Sequence, residues 1–253
     1  MNQLARVYAQ HKRLRPLLAD PLLALAQGVL AKPHRQPPLL VAASLLLVTG
    51  RRPVEVMLMG SFRVSKRPHH LWFSGQAKTR GSDNAQVAPY EIPVLDAPGR
   101  VLRAASWLRE QVPLQGLTPN EAHKRYNVML NRYAQQFRDG ENKALTPSEL
   151  RAAYGTIAYF KHAPKHVSVQ AYLAQILGHS EGDLVTSHSY LRFFLNSPER
   201  RGQAGRAPML RRIQEGTLDV IDRLEAEMAG ARTPEARDLL ARRILQFAET
   251  LRK

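Results

Sequence analysis

The chain has 253 residues, no cysteine and a formal net charge of +16 at pH 7. This length allows one large domain or two smaller ones, and the lack of cysteine excludes disulfide bonds and thiolate metal sites. So basic a surface attracts polyanions, and nucleic acid is the commonest partner of this kind. The longest apolar run, residues 39–48, is too short to span a bilayer, and residues 1–4 do not resemble a signal peptide. We therefore expect a cytoplasmic protein without a membrane partner.

The first part of the chain is predicted to be helical. Residues 3–31 are rich in Leu and Ala, and residues 32–38 contain three prolines that indicate a turn or linker. Residues 39–48 are apolar on all sides, which is typical of a buried helix. Gly50 suits the residue that ends this helix, and Pro53 suits the first turn of the next one.

Arg51, Arg52 and Glu55 lie at the junction of these two predicted helices. An arginine buried without a partner is costly, so arginines at a buried junction must be paired or must bind a ligand. One of them can form an ion pair with Glu55, and the residues alone leave both interpretations open.

A short β region follows the helices. Residues 71–73 and 90–94 are rich in aromatic and β-branched side chains, which predicts the two strands of a hairpin. The polar loop between them, residues 75–84, contains Lys78 and Arg80. A lysine on such a loop is usually only solvated, but it can also give a proton to a substrate.

The second half of the chain is predicted to be mainly helical. Thr118 and Thr146 each precede a proline, a pattern typical of helix starts, and Gly178 suits a helix end. The predicted helices cover residues 98–112, 119–137, 147–160, 167–177 and 187–195, with Tyr190 in the last. The fold class is therefore predicted to be mainly α with a small antiparallel β-hairpin sheet.

Five side chains along the chain are suited to one reaction: Arg52, Lys78, Arg151, His179 and Tyr190. A tyrosine hydroxyl can attack a DNA phosphodiester and form a covalent phosphotyrosine, which stores the bond energy. Guanidinium groups match the negative charge that develops on the phosphate oxygens. A lysine can protonate the leaving 5′ oxygen, and an imidazole can bind the phosphate or assist proton transfer. We expect this reaction to need neither a metal nor ATP, and we expect no cofactor.

The motifs around these residues resemble the catalytic boxes of the tyrosine recombinases. Thr-Gly-Arg-Arg-Pro-Val-Glu-Val at residues 49–56 is similar to the family's Thr-Gly-x-Arg-x-x-Glu-Leu box. This resemblance selects Arg52 as the catalytic arginine and Glu55 as a supporting residue. Ser-Glu-Leu-Arg-Ala-Ala-Tyr at residues 148–154 resembles the box His-x-Leu-Arg-His-x-Phe, and Leu-Gly-His at residues 177–179 matches a third box.

The resemblance spans residues 39–195 and implies a tyrosine-recombinase-like catalytic fold. Lys78 then corresponds to the family's β-hairpin lysine, and Tyr190 stands where the nucleophile is expected. The implied activity is breakage and rejoining of double-stranded DNA through a 3′-phosphotyrosine. We expect copies of the protein to associate on the DNA as a dimer or tetramer.

We expect three parts in the chain. Residues 1–38 form an N-terminal helical arm and linker, residues 39–199 form the catalytic domain, and residues 200–253 form a basic hinge with C-terminal helices.

Two departures from the recombinase pattern favour the telomere resolvase (protelomerase) branch. Ser148 replaces the usual histidine of the second box, a position that is not histidine in telomere resolvases either. The interval of eleven residues from His179 to Tyr190 is longer than is usual for integrases. Telomere resolvases join each cut strand to its complement as a closed hairpin, whereas integrases exchange strands between two duplexes.

Neighbouring residues compete for these roles or extend the DNA surface. His188 lies two residues before Tyr190, where a helix would turn it away from the nucleophile, so we favour His179 and keep His188 as a possible supporting residue. Tyr154 and Tyr159 have the helical spacing of core residues. The residues expected to contact DNA are Arg51, Arg80, Lys161, Lys165 and Arg192.

Two functions without DNA cleavage remain open. The chain can be a catalytically inactive DNA-binding protein that retains the recombinase fold, which Ser148 would suit. A basic RNA-binding or ribosome-associated protein is a second alternative, but it does not account for five site residues in the right order.

Overall fold

The structure, a computed structural model, describes residues 14–77, 88–178 and 190–196. These residues belong to one compact unit, Arg13–Pro198. Several predicted site residues and the predicted C-terminal part lie outside the described residues: Lys78, Arg80, His179, His188 and residues 200–253.

The described residues form helices and short strands. The α-helices are α1 (Ala19–Ala31), α2 (Pro38–Thr49), α3 (Pro98–Gln111), α4 (Pro119–Ala134), α5 (Pro147–His162) and α6 (Val169–Leu177). The strands are β1 (Arg15–Leu17), β2 (Ser61–Val64), β3 (His70–Ser74), β4 (Tyr90–Pro93) and β5 (Phe193–Leu195). A 3-10 turn (Pro33–Arg35) joins α1 to α2, and a π-helical turn (Glu55–Met59) precedes β2. The predicted class, mainly α with a small antiparallel sheet, is confirmed.

Helix α2 lies at the centre of the unit. Its residues 40–49 are all buried, and it packs against α1, α3, α4 and α5. Gly50 ends α2 with a φ of 65°, and a Cβ at this position would overlap the ring of Tyr154. Backbone and packing therefore both require glycine here. The buried helix fixes the position of the two arginines that follow Gly50.

Strands β2, β3 and β4 form an antiparallel sheet in that order. Leu71 of β3 pairs with Ile92 of β4, which confirms the predicted hairpin. Strand β2 is an additional strand that the sequence pattern does not indicate, because only Phe62 among its four residues is partly buried. The sheet carries the two ends of the loop that contains Lys78.

Capping boxes start α4 and α5 at the two predicted Thr-Pro positions. The hydroxyls of Thr118 and Thr146 accept hydrogen bonds from the backbone N–H groups of Glu121 and Glu149, whose carboxylates bind back to the threonines. The capping box at Thr146 matters for the site because it fixes the start of α5, one turn before Arg151.

Two segments predicted as helix are instead strands. Strands β1 and β5 pair in parallel, with Arg15 opposite Phe193. The helical prediction is therefore wrong for residues 15–17 and for residues 190–195. The backbone bonds that decide this join residues far apart in sequence, and Pro16 has no N–H for a helical bond. A local sequence pattern does not contain this information.

Residues 14–38, predicted to form an arm and linker, pack within the same unit as the predicted catalytic domain. Helix α1 lies against α2 and α3, and its buried side carries Leu22, Ala26 and Leu30. An apolar stripe of this kind needs a partner surface, which α2 and α3 provide. Residues 14–38 are therefore part of this compact unit.

Candidate active site

Arg52 and Glu55 form the first half of the site. Nη1 of Arg52 donates a 2.7 Å hydrogen bond to Oε1 of Glu55, and the backbone N–H of Arg52 donates a 2.7 Å hydrogen bond to Oε2. The Glu55 side chain is fully buried, whereas 18% of the Arg52 side chain is exposed. Arg52 is thus paired with a carboxylate and still accessible to a ligand.

A π-helical turn begins at Glu55. The backbone N–H of Gly60 donates a 2.8 Å hydrogen bond to the carbonyl of Glu55, five residues earlier. Arg109 of α3 donates to the carbonyls of Val56 (3.3 Å from Nε) and Gly60. Turns of this width are rare and often occur at functional sites. The sequence pattern, which suggests an ordinary helix after Pro53, does not reveal it.

The Glu55 carboxylate also contacts two other parts of the site. Oε1 accepts a 3.1 Å hydrogen bond from the backbone N–H of Ala77, the residue before Lys78. Oε2 lies 4.0 Å from Nη1 of Arg151. Burial raises the pKa of Glu55, but the charges of three nearby arginines outweigh burial and lower this pKa to about 2. Glu55 is therefore ionised at every physiological pH and holds several site segments together.

Arg151 of α5 is the second guanidinium of the site. Its side chain is 3% exposed, and Nη2 donates a 2.8 Å hydrogen bond to the carbonyl of Leu177 at the end of α6. The guanidinium carbon lies 5.1 Å from the centroid of the Tyr190 ring, within the range of a cation–π contact. Burial lowers the pKa of Arg151 to about 10, so the guanidinium stays charged at neutral pH.

Tyr190 is half-buried and lies shortly before β5. It lies in a turn, is followed by the buried Leu191, and is not part of the predicted helix. His188 lies outside the described residues, so its orientation relative to Tyr190 stays a prediction. Tyr154 differs from Tyr190, because it is fully buried and its hydroxyl donates a 2.7 Å hydrogen bond to the carbonyl of Pro93. The predicted core role of Tyr154 is confirmed.

Arg51 is fully buried, which corrects the expectation that it contacts DNA. Its guanidinium donates to the hydroxyl of Tyr90 (2.5 Å from Nη1), to the carbonyl of Thr49 (3.2 Å from Nε) and to the carbonyl of Ile176. These bonds join the end of α2, strand β4 and the last turn of α6. Arg51 therefore links structural elements, and its neighbour Arg52 is the arginine that remains accessible.

Gln76 and Tyr90 also belong to the site, although their residue types and spacing do not predict it. The Tyr90 hydroxyl donates a 3.1 Å hydrogen bond to Oε1 of Gln76, and Nε2 of Gln76 donates to the carbonyl of Gly178. Gln76 lies two residues before Lys78, and Gly178 lies directly before His179. Their position beside the two motifs is the signal that could have found them, since neither residue type indicates catalysis by itself.

The other predicted site residues in the described part of the chain are exposed or half-buried. Ser148 is exposed in the first turn of α5, three residues before Arg151. Lys161 is exposed in the last turn of α5, about 15 Å along the helix from Arg151 at the usual rise per residue. Lys165 is exposed in the following loop. Arg192 is half-buried before β5, and burial lowers its pKa.

The structure thus brings together Arg52, Glu55, Arg151 and Tyr190. Two guanidiniums near a phenol can bind a phosphodiester and stabilise the charge that develops when the phenol attacks it. Within the described residues, no cluster of histidine, aspartate and glutamate side chains is arranged to hold a metal ion. This site, on a mainly helical unit with a small antiparallel sheet, is of the tyrosine-recombinase class.

The chain belongs to the telomere resolvase ResT/TelK catalytic domain family, whose model matches residues 14–193. The match begins one residue before β1 and ends at Phe193, the first residue of β5.

Two curated relatives carry names from this family. The telomere resolvase ResT of Borreliella burgdorferi is 28% identical over 156 residues, which cover 60% of this chain and 33% of the relative. The protelomerase of Escherichia phage N15 is 29% identical over 230 residues, which cover 83% of this chain and 34% of the relative. The chain therefore spans about a third of the length of these relatives.

Solved structures of protelomerases have the same fold. Protelomerase TelA covalently complexed with substrate DNA superposes with a TM-score of 0.67 at 31% identity, over 79% of this chain and 65% of TelA. Protelomerase TelK complexed with substrate DNA superposes with a TM-score of 0.60 at 26% identity, over 78% of this chain and 41% of TelK. The predicted fold, that of a tyrosine-recombinase catalytic domain, is confirmed.

Proposed function

We propose that this chain is the catalytic part of a telomere resolvase. It cuts double-stranded DNA through a covalent 3′-phosphotyrosine at Tyr190 and rejoins each strand to its complement as a hairpin. The observation that carries the proposal is the Arg151 guanidinium carbon 5.1 Å from the Tyr190 ring centroid, with Arg52 joined to the same carboxylate, Glu55. The similar TelA protein has been solved covalently complexed with substrate DNA and, as an arginine-to-alanine variant, complexed with a DNA hairpin product.

In the cleavage step, the hydroxyl oxygen of Tyr190 attacks the phosphorus atom of a DNA phosphodiester. A bond from the tyrosine oxygen to phosphorus forms, the bond to the 5′ oxygen breaks, and the phenol releases its proton to the solvent. Arg52 and Arg151 bind the non-bridging oxygens, where negative charge grows. Lys78 gives a proton to the 5′ oxygen, and His179 hydrogen-bonds the phosphate.

In the rejoining step, the 5′ hydroxyl of the complementary strand attacks the phosphotyrosine and releases the tyrosine oxygen, which takes up a proton. One phosphodiester is exchanged for another, so no external energy source is needed. A palindromic site has two strands to cut, and each chain supplies one Tyr190. The active assembly is therefore a two-fold symmetric dimer on the DNA.

The surface around the site is suited to a duplex. Lys161, Lys165, Arg192 and Arg80 contact the phosphate backbone in this proposal, and the net charge of +16 supports it. None of the helices in the described part of the chain is long and apolar enough to cross a membrane. The relatives come from a bacterium and a bacteriophage, and we propose that the chain acts in the bacterial cytoplasm.

Covalent capture of DNA tests the proposal directly. The full chain is incubated with a pool of duplexes that have randomised palindromic centres, and adducts that survive denaturation are recovered and sequenced. We expect adducts with the wild type and with Tyr133→Phe, a half-buried tyrosine on α4, and none with Tyr190→Phe. Tyr190→Phe should still bind DNA. Adducts formed equally by Tyr190→Phe would remove Tyr190 from the mechanism.

The product distinguishes the telomere resolvase from the two alternatives. A selected palindrome is incubated with the protein and analysed on a denaturing gel. Strands that snap back as closed hairpins support the resolvase, whereas recombinants between two duplexes support an integrase. Binding without any adduct would show an inactive DNA-binding protein.

A further inference from the structure

Strand β5, which follows the nucleophile, depends on strand β1 for its pairing. The two strands run parallel in a two-stranded sheet of their own. The backbone N–H of Arg15 donates a 3.0 Å hydrogen bond to the carbonyl of Arg192, and the N–H of Asn196 donates a 3.0 Å hydrogen bond to the carbonyl of Leu17. These two bonds hold the pair at its two ends and begin two residues after Tyr190.

The side chain of Arg15 ties this strand pair to helix α5. Nη2 of Arg15 lies 2.5 Å from Oε1 of Glu149, and Nη1 lies 3.2 Å from Oδ2 of Asp139. Its guanidinium carbon also lies 4.9 Å from the centroid of the Phe193 ring in β5. Only 9% of Arg15 is exposed. The electrostatic attraction in these contacts is therefore screened less by solvent than that of a surface ion pair.

Helix α5 contacts both the strand pair and the nucleophile through two residues near its start. Glu149 receives Arg15, and Arg151, two residues later, lies over the Tyr190 ring. The segment from Tyr190 to Phe193 is therefore held against the start of α5 at both of its ends. A shift of the Arg15 contact moves β5 relative to α5 and, with it, the phenol relative to the guanidinium.

We propose that strand β1, through Arg15, is a positioning element for the nucleophile Tyr190. The side chain of Arg15 contacts Glu149, Asp139 and Phe193, and in this proposal it acts by fixing the strand that follows the tyrosine. The inference rests on the proposed function, because it assigns the orientation of the attacking phenol. Small displacements of a reacting group reduce the rate of the chemical step more than they reduce substrate binding.

Arg15→Ala tests this with a separate measurement of binding and of chemistry. The rate of adduct formation is measured at saturating DNA with a sequence selected by covalent capture, and the Kd is measured under the same conditions. We expect the rate to fall about tenfold or more while the Kd changes by less than about twofold. Arg15→Lys, which keeps the charge and can reach one carboxylate, should recover part of the rate.

Arg100→Ala is the matched control for Arg15→Ala. It removes an arginine of α3 whose Nη1 lies 3.1 Å from Oδ1 of the nearly buried Asp96. This ion pair is not among the contacts of Tyr190. It reports how far the loss of such a pair lowers the Tm without a change at the nucleophile. We expect Arg100→Ala to cleave at the rate of the wild type.

A second variant weakens the strand pair without removing a buried charge. Asn196→Pro deletes the N–H that binds the carbonyl of Leu17, whereas Asn196→Ala keeps this N–H and is its control. Asn196 is exposed, so neither change disturbs the core. We expect Asn196→Pro to lower the cleavage rate and to raise hydrogen exchange in residues 193–195, and Asn196→Ala to do neither.

The outcomes separate this inference from the proposed function. Slow cleavage in Arg15→Ala or Asn196→Pro, with both controls unchanged, supports the positioning role. Wild-type rates in folded Arg15→Ala and Asn196→Pro, alongside a loss of adduct in Tyr190→Phe, overturn the positioning role and leave the proposed function intact. If the wild type forms no adduct, the proposed function itself fails. If Arg15→Ala does not fold, Asn196→Pro against Asn196→Ala decides.

Discussion

The side-chain amide of Gln76 donates a hydrogen bond to the backbone carbonyl of Gly178. This bond joins the end of α6, which leads to His179, to the start of the loop that carries Lys78. A Cβ at Gly178, where φ is 66°, would overlap the Gln76 amide and the Tyr90 hydroxyl. The two segments are therefore in close contact at a position that only glycine allows.

Gln76→Ala should impair catalysis more than folding. Loss of the amide releases the Lys78 loop from Gly178, and we expect the adduct rate to fall about tenfold with little change in DNA affinity. The measurement is single-turnover adduct formation at saturating DNA. Gln115→Ala, at an exposed glutamine, is the control and should behave as the wild type. Equal rates in all three proteins would show that the Gln76 bond does not serve the reaction.

Glu55→Gln should change the acid stability of the unit. The folded pKa of Glu55, about 2, is below its ordinary value of 4.5, so the ionised carboxylate stabilises the folded state above about pH 4.5. This contribution corresponds to roughly 3 kcal/mol and is lost as the pH falls toward 2. The difference in unfolding free energy between wild type and Glu55→Gln should therefore be large at pH 7 and shrink below pH 4.5.

The control for this titration is Glu110→Gln, which neutralises an exposed glutamate on α3. We expect it to change the free energy of unfolding little at either pH. A difference between wild type and Glu55→Gln that stays constant from pH 7 to pH 3 would contradict the lowered pKa of Glu55.

Arg51→Met should mainly lower the stability of the protein, whereas Arg52→Met should mainly lower the rate of DNA cleavage. Arg51→Met leaves the Tyr90 hydroxyl and the Ile176 carbonyl without their donor, and we expect a loss of about 3 kcal/mol or more in unfolding free energy. Arg52→Met should lower the adduct rate by roughly 100-fold or more, since it removes a donor to the transition state. Thermal unfolding and adduct formation measured on both variants test this. A stable Arg51 variant with slow cleavage would reverse the two assignments.

Lys161 and Lys165 should contribute to DNA affinity through salt-dependent contacts. The double alanine variant should lower the slope of log Kd against log salt by about 1 to 2. The adduct rate at saturating DNA should stay near that of the wild type, because Lys161 lies about 15 Å along α5 from Arg151 and neither lysine is assigned to the reacting phosphate. Lys143→Ala, at an exposed lysine, is the control. An unchanged slope in the double variant would place these two lysines outside the DNA interface.

The parts of the fold that the sequence predicts are those decided by local chemistry. The apolar composition of residues 40–49 makes α2 a buried helix, and the capping residues Thr118 and Thr146 mark the starts of α4 and α5. Left-handed Gly50 and Gly178 mark two helix ends. Each of these signals lies within one turn of the feature it determines.

The parts that the sequence does not predict depend on distant partners. The strand character of Arg15 and Phe193 arises from their mutual pairing, and neither segment shows it alone. Two adjacent arginines in one motif differ in burial because Arg51 meets the end of α6, more than a hundred residues away in sequence. Lys78 and His179 stay predictions from their motifs, as they lie outside the described residues.

The parallel pairing of β1 with β5 also has a consequence for the order of folding. Arg15 and Phe193 are paired across roughly 180 residues of chain, so their contact carries one of the largest loop-closure costs in the unit. Arg52 and Arg151 belong to segments that lie between these two strands in the sequence. During synthesis, β1 is made before these segments, and its pairing partner β5 is made only after them. The tyrosine is thus expected to reach its guanidiniums in a late folding step, and unfinished chains would have no means of cutting DNA.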